Sequence, residues 1–372
     1  MRVTRWLALA TALAGLALSS QAAADTMDPA LARLVRDPTC RAPGAGGGLY
    51  YDPQSQSNRC LPDNAGFAKL ISQYGFAVAS TAMHSARTTG YGGFELGIEA
   101  AYTKIDNNAE YWVQGTQGAQ DPTTENFSIS NPDPDSLLQH YSLKVRKGFP
   151  FGLELAGAVG FLGNTNLITA GADVRLSIFE GFRTGLPAIL PEIAAGGSVR
   201  TITGTEEFQL TVAGVDGQIS KPLPIAGAVV LTPYVGYQWL YIFGDSGLID
   251  MTPNTDAVDY CDFEGTNTPA TPVDSNGDGT PDPADGQPVC GNGSSADFNN
   301  TMVFDAVRLQ RHRLNFGAQL RFQMIKFGVH FITDLVSPEE ANQDSDNIID
   351  GVNKYEGVGK QWTLAFDLGA VF

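Results

Sequence analysis

The sequence predicts an all-β chain: a membrane-spanning, up-and-down antiparallel β-barrel of about ten strands (10–12) behind a short N-terminal segment. Three observations carry this. Hydrophobicity alternates with a period of two from Gly92 to the last residue, as in strands with one apolar and one polar face. The segments between the long loops run 10 to 16 residues, long for a globular sheet but suited to a tilted strand that needs ~9–11 residues to cross hydrocarbon. Long loops fall on one end of the sheet and tight turns on the other.

The first residues predict export. MRVTRWLALATALAGLALSSQAAADT has basic Arg2 and Arg5, an apolar run from Trp6 to Leu18, and Ala22-Ala23-Ala24 before Asp25. That is the pattern of a signal peptide over 1–24, cleaved after Ala24. The run is too short to span a membrane comfortably.

Composition narrows the rest. The 372 residues include 42 glycines, 17% are charged, and the net charge is −17. Such acidity argues against nucleic acid as a partner, because phosphate binding needs clustered Lys and Arg.

Residues 25–90 form a separate N-terminal segment. Residues 25–61 read as loop, with GAGGG at 44–48. Asp63 then precedes FAKLISQY, where Phe67, Leu70, Ile71 and Tyr74 recur at helical spacing behind a capping residue. The helix is expected on the periplasmic side or inside the barrel as a plug. GFAVASTAMHSA (75–86) could instead be an extra strand, at the cost of an even strand count.

The barrel occupies 91–372. In GFELGIEAAYT, Phe94, Leu96, Ile98, Ala100 and Tyr102 share a face against Glu95, Glu99 and Thr103. In HYSLKV, Tyr141, Leu143 and Val145 oppose His140, Ser142, Lys144 and Arg146. GLELAGAVGF and ITAGADVRLSI repeat the pattern, and further strands read at 190–203, 207–219, 228–243, 304–323, 326–335 and 360–372. Long connections lie at 106–135, 244–302 and 336–359. Aromatics gather near both strand ends, with Tyr102, Phe161, Trp239, Tyr241, Phe304 and Trp362 towards the long loops.

The closing KQWTLAFDLGAVF ends on Phe372 with Trp362, Leu364, Phe366, Leu368 and Ala370 on the same parity. On this strand and the pattern over 91–372, the chain resembles the bacterial outer-membrane β-barrels, whose last strand ends in Phe. The resemblance implies an outer-membrane location, contact with its lipids, and recognition of the terminal strand by the barrel-assembly machinery. Ala370 departs from the aromatic often found there. The expected orientation puts the N-terminal segment and the C terminus on the periplasmic side.

Four cysteines in an exported chain suggest two disulfides with three pairings, and spacing favours Cys40–Cys60 and Cys261–Cys290. The expected topology places these pairs on opposite sides of the membrane, which would exclude cross-pairing. In DSNGDGTPDPAD, Asp274, Asn276, Asp278, Asp282 and Asp285 alternate as oxygen ligands around Gly279, with the Thr280 carbonyl as a further ligand. The stretch resembles EF-hand loops, and more closely dockerin and thrombospondin type 3 repeats, which implies a Ca2+ site. An acidic disordered tip is the competing reading. No Lys or Arg occurs from Pro222 to Val307, so the acidic loop is expected either to form a negative rim that concentrates cations or simply to stay soluble as an exposed loop.

Inward charges are mixed: Glu95, Glu99, Glu154, Asp173, Glu192 and Asp334 against Lys144, Arg146, Arg175, Arg200, Arg313 and Arg321. They either interlock and fill the interior or line a narrow pore. His140-x-Ser142 is similar to the His-x-Ser of outer-membrane phospholipases, but the longer motif is absent and both residues face the lumen. His84, His312 and His330 show no acid partner by spacing. The chain is therefore expected not to be an enzyme. The leading expectation is porin-like passage of small solutes, with Arg175, Arg200, Arg313 and Glu154 setting selectivity. The second is a non-conducting barrel that displays the acidic, disulfide-tied loop for adhesion or ligand binding. An outer-membrane hydrolase is the minor alternative.

Overall fold

The computed structural model describes residues 26–36, 61–81, 84–119, 130–178, 190–226, 229–250, 261–263, 288–290, 301–349 and 351–372. Ten long antiparallel strands form a closed barrel: β1 (Phe94–Lys104), β2 (Leu137–Gly148), β3 (Leu153–Leu162), β4 (Ile168–Ser177), β5 (Glu192–Thr203), β6 (Phe208–Ser220), β7 (Val229–Ser246), β8 (Val307–Phe322), β9 (Ile325–Asp334) and β10 (Trp362–Val371). Each strand pairs with its sequence neighbours, and β10 closes on β1 in register from Glu95↔Val371 to Thr103↔Thr363. Phe372 completes the seam by exchanging backbone hydrogen bonds with Phe94 at 2.8 and 3.1 Å. Closure leaves none of these ten strands as a free edge.

The outer face is apolar as the alternation predicts. Leu96, Ile98, Leu143, Val159, Phe161, Ile168, Val174, Phe316, Phe366 and Leu368 are all exposed, while their neighbours of opposite parity face inward. A soluble protein rarely exposes so continuous an apolar surface; hydrocarbon accounts for it. β8 and β9 turn through Gln323 and Met324, where Gln323 takes φ 51° to close a two-residue hairpin. The barrel thus has a tight-turn end, which carries Phe372, and a long-loop end. β7 and β8, of 18 and 16 residues, exceed the ~9–11 needed to cross a membrane, and their extra length rises at the long-loop end.

α1 (Asn64–Val78) lies inside this barrel. Asp63 caps it, its side chain accepting from the Gly66 amide at 2.9 Å, and Phe67, Leu70, Ile71 and Tyr74 are fully buried. It touches strands around the wall, among them β1, β2, β5, β6, β7 and β8. Two glycines permit the close approach to β7. A Cβ on Gly75 would stand 2.6 Å from the Ile242 side chain, and one on Gly244 would stand 2.5 Å from Ile71. The described residues of 75–86 form no extra strand: the helix runs to Val78, and residues 79–81 and 84–93 follow as an irregular strap towards β1.

Two expectations change here. The sequence puts the N-terminal segment with the C terminus, yet its first described residues lie at the opposite end. Ala30 donates to the Gly115 carbonyl, Met27 to that of Asn164, and Asn64 bonds Asp305, all at the long-loop end. The segment therefore runs down the lumen from the long-loop end to the tight-turn end before β1 begins. Val35 bridges to Pro62 at that same long-loop end, so the segment holding Cys40 and Cys60 starts and returns there. The exclusion of cross-paired cysteines loses its basis. Cys40 and Cys60 lie outside the described residues; Cys261 and Cys290 are register partners in a short ladder of Cys261–Phe263 with Pro288–Cys290. The second change is Phe304. It belongs to no outer aromatic belt, being buried and stacked on Phe67 with centroids 4.7 Å apart. The strand expected from 304 accordingly starts at Val307.

Candidate functional site

The lumen is where the sequence concentrates its polar side chains, and it is occupied along its length. Towards the long-loop end the filling is apolar. Met27, Leu31, Leu34, Phe67, Leu70 and Tyr74 pack with Trp112 of α2 (Glu110–Gly115) and with wall residues Phe208, Leu210, Leu240 and Ile242. Gln73 serves the polar atoms of this layer: its Oε1 accepts from Trp112 Nε1 at 2.7 Å, and its Nε2 donates to Tyr111 OH at 2.8 Å.

Below this core, β8 grips the end of α1 with two buried arginines. Arg313 donates to the carbonyls of Phe76 at 3.0 Å and Ser80 at 2.9 Å, and Arg311 to that of Ser72 at 2.9 Å. Both guanidiniums stand over the Phe76 ring, at 4.6 and 5.0 Å from its centroid. The Phe76 carbonyl lies in the last turn of α1, where carbonyls lack an intrahelical donor, and cations at a helix C terminus complement the helix dipole. Arg311 also pairs with Asp334 and donates to Gln361 Oε1 at 2.5 Å. The strap beyond α1 is tied just as fully. Ser80 donates to Asp173 at 2.6 Å, Thr81 to Glu99, His84 faces Glu154 at 3.0 Å, and the Ala86 amide donates to Ser220 Oγ at 2.9 Å.

The expected selectivity residues are engaged in this interlock. Lys144 pairs with Glu99 at 2.5 Å, Arg146 with Glu95, Arg175 with Asp216 at 3.1 Å, and Arg200 with Asp173 at 2.6 Å. Glu154 takes His84, Arg146 and the Thr89 amide. Glu192 and Arg321 sit apart, at the tight-turn mouth; Arg321 is exposed and donates to the Gln323 carbonyl at 3.0 Å. The charged cavity among these pairs measures about 40 Å³, room for a few waters.

Several partners were invisible to sequence spacing. His84 and His330 do have acids, Glu154 and Asp367, the latter at 2.6 Å; Tyr234 OH meets the other ring nitrogen of His330. Lys326 bridges Glu95 and Asp367 at 2.5 and 2.8 Å. Arg311 shares the inward parity of Arg313 two residues upstream, a signal the strand alternation carries. His140 and Ser142 do face inward, but His140 Nε2 bonds Thr169 Oγ1 at 2.8 Å and Ser142 Oγ has no hydrogen-bond partner among the described residues. They do not form a nucleophile–base pair. Asp274, Asn276, Asp278, Thr280, Asp282 and Asp285 lie outside the described residues.

At the long-loop end Glu207 accepts from the Leu31 amide at 2.6 Å. Burial raises its carboxyl above the usual range, more than that bond and the Arg33 charge lower it.

No protein-family model matches the chain, and no curated protein matches it. Among solved structures it is similar to the attachment invasion locus protein Ail of Yersinia pestis, solved with the heparin analogue sucrose octasulfate. The identity is 11% over 76% of this chain and 99% of that one, with a TM-score of 0.22. The outer membrane protein OprG of Pseudomonas aeruginosa gives 10% over 78% and 99%, TM-score 0.25. The translocator domain of the autotransporter NalP of Neisseria meningitidis gives 10% over 83% and 96%, TM-score 0.29. With every TM-score this low, the fold rests on the chain's own ladder. That closed ladder, its one-sided loops and its apolar outer face make the chain an outer-membrane-type β-barrel.

Proposed function

We propose that this barrel is a non-conducting platform of a bacterial outer membrane, plugged by its own N-terminal segment, which presents a binding or adhesion surface at the long-loop end. The observation that carries the reading is the grip of Arg311 and Arg313 on α1 within an apolar seal. A loosely inserted plug would not need buried cations on its backbone carbonyls. The lumen charges, paired with one another, act as struts rather than a selectivity filter. Porin-like passage of small solutes is the competing reading, and it requires α1 and the strap to leave. In the same proposal, the chain is exported by residues 1–24 and assembled through the Phe372 strand. The platform combines residues 26–36 with the long loops, including the acidic 244–302 connection. Ca2+ at Asp274–Asp285 would stiffen that connection and protect it from protease, and Asp278→Ala would remove the protection.

The test uses epitopes on intact cells. A tag after Arg36 should be reached by antibody without lysis, and one in the Phe151 turn only after lysis. The reverse pattern, or access to neither, would overturn the reading.

A further inference from the structure

A second cavity, of about 170 Å³, opens at the tight-turn end between the strap and the barrel wall. It is lined by Arg87 of the strap, Arg321 and Gln319 of β8, Thr232 of β7, Thr89 and Glu192. Its inner wall is the Arg146–Glu95 pair, which also borders the smaller charged cavity.

The lining differs from the rest of the lumen in one respect. Lys144, Arg146, Arg175, Arg200, Arg311 and Lys326 each pair with a carboxylate, and Arg313 is consumed by carbonyls and Gln238. Arg87 and Arg321 form no ion pair with a described carboxylate, and both border this one cavity. Of the two acids in the lining, Glu95 is neutralised by Arg146 and Lys326, and the half-buried Glu192 accepts from Ser220 Oγ at 3.5 Å. With both acids counted, the three lining arginines, Arg87, Arg146 and Arg321, still outnumber the two carboxylates, and the lining is net cationic. Guanidinium forks match the oxygens of phosphate, sulfate and carboxylate groups, and Thr232 and Gln319 add neutral donors. The volume is below the ~300–1,000 Å³ of pockets for drug-sized ligands, which selects a small group rather than an oligosaccharide.

We infer that the tight-turn mouth is a binding site for a small oxyanion, held between Arg87 and Arg321. The site faces the end opposite the proposed display surface and does not require the lumen to conduct. The anion can be a free ion or the headgroup of an anionic lipid in the adjoining leaflet.

Inorganic phosphate titrated into the purified full chain in detergent, followed by calorimetry, tests the site. Retention of phosphatidylglycerol, measured by native mass spectrometry, tests the lipid source. Arg87→Gln and Arg321→Gln should each weaken binding about tenfold, the loss of one charge-assisted contact, and the double variant should abolish it. Arg308→Gln, which removes an exposed pair with Asp245 at the far end, should change nothing. Heat-dependent gel mobility checks that each variant is folded. Phosphate binding lost in the arginine variants supports a free-ion site, and loss confined to the lipid supports a headgroup site. Binding of neither, or binding indifferent to both arginines, would overturn the inference.

Discussion

The two halves of the lumen are closed by different physics. Towards the long loops, α1 and residues 26–36 form a dry core with Trp112, Phe208 and Phe304, where stability grows with apolar area removed from water. Towards the tight turns, the strap is held by ion pairs and hydrogen bonds around cavities of about 40 and 170 Å³. Area burial is non-directional and tolerates small shifts, whereas the paired charges of the lower half depend on partners held in fixed places. The upper half is therefore the seal and the lower half the register that positions the strap. Arg311 and Arg313 mark the boundary, since they hold the helix end and stand over Phe76.

Substitutions in the two halves should differ in kind. Trp112→Ala, at a fully buried side chain, should cost about 3–5 kcal/mol in denaturant unfolding from micelles. It should also make the seal leak; a cost under about 1 kcal/mol would mean the upper core is not tightly packed. Arg311→Met strands Asp334 and should cost a comparable ~3–5 kcal/mol. Adding Asp334→Leu should recover most of that loss if the pair dominates. Failure to recover would assign the energy to the Arg311 bonds with the Ser72 carbonyl and Gln361.

Smaller effects are expected at the cap and at Glu207. Asp63→Ala removes the N-cap of α1 and should cost about 1 kcal/mol, read as faster amide exchange in its first turn. Glu207 tests the top of the seal by pH. Its raised pKa means that protonation of this carboxyl favours the folded state. That contribution is full below the unfolded value of about 4.3 and is lost as pH rises through the raised folded value. Glu207→Gln should therefore raise the melting temperature slightly at pH 7 and match wild type near pH 4. An unchanged gap between the two pH values would deny the burial of this carboxyl.

The barrel was legible because a lipid face and a polar face write a period of two into every strand, down to Phe372 closing on Phe94. The helix was legible from Phe67, Leu70, Ile71 and Tyr74, but an apolar stripe states only that a helix packs, not against what. Its position inside the barrel, and the exit of residues 26–36 at the long-loop end, depend on the wall that surrounds it. Charge pairing was hidden for a related reason. Arg175 meets Asp216 and His84 meets Glu154 across strands and strap, at separations that only the register defines. The parity of Arg175 and Arg200 correctly put them inside, yet parity carries no information on whether a lumen is open.

Planar-bilayer recording of the intact chain beside a chain lacking residues 25–90 addresses this directly. The intact protein should show no stepwise current, and the truncated one, with its heat-dependent gel mobility confirmed, should conduct. Steady unitary currents from the intact chain would contradict a self-plugged barrel.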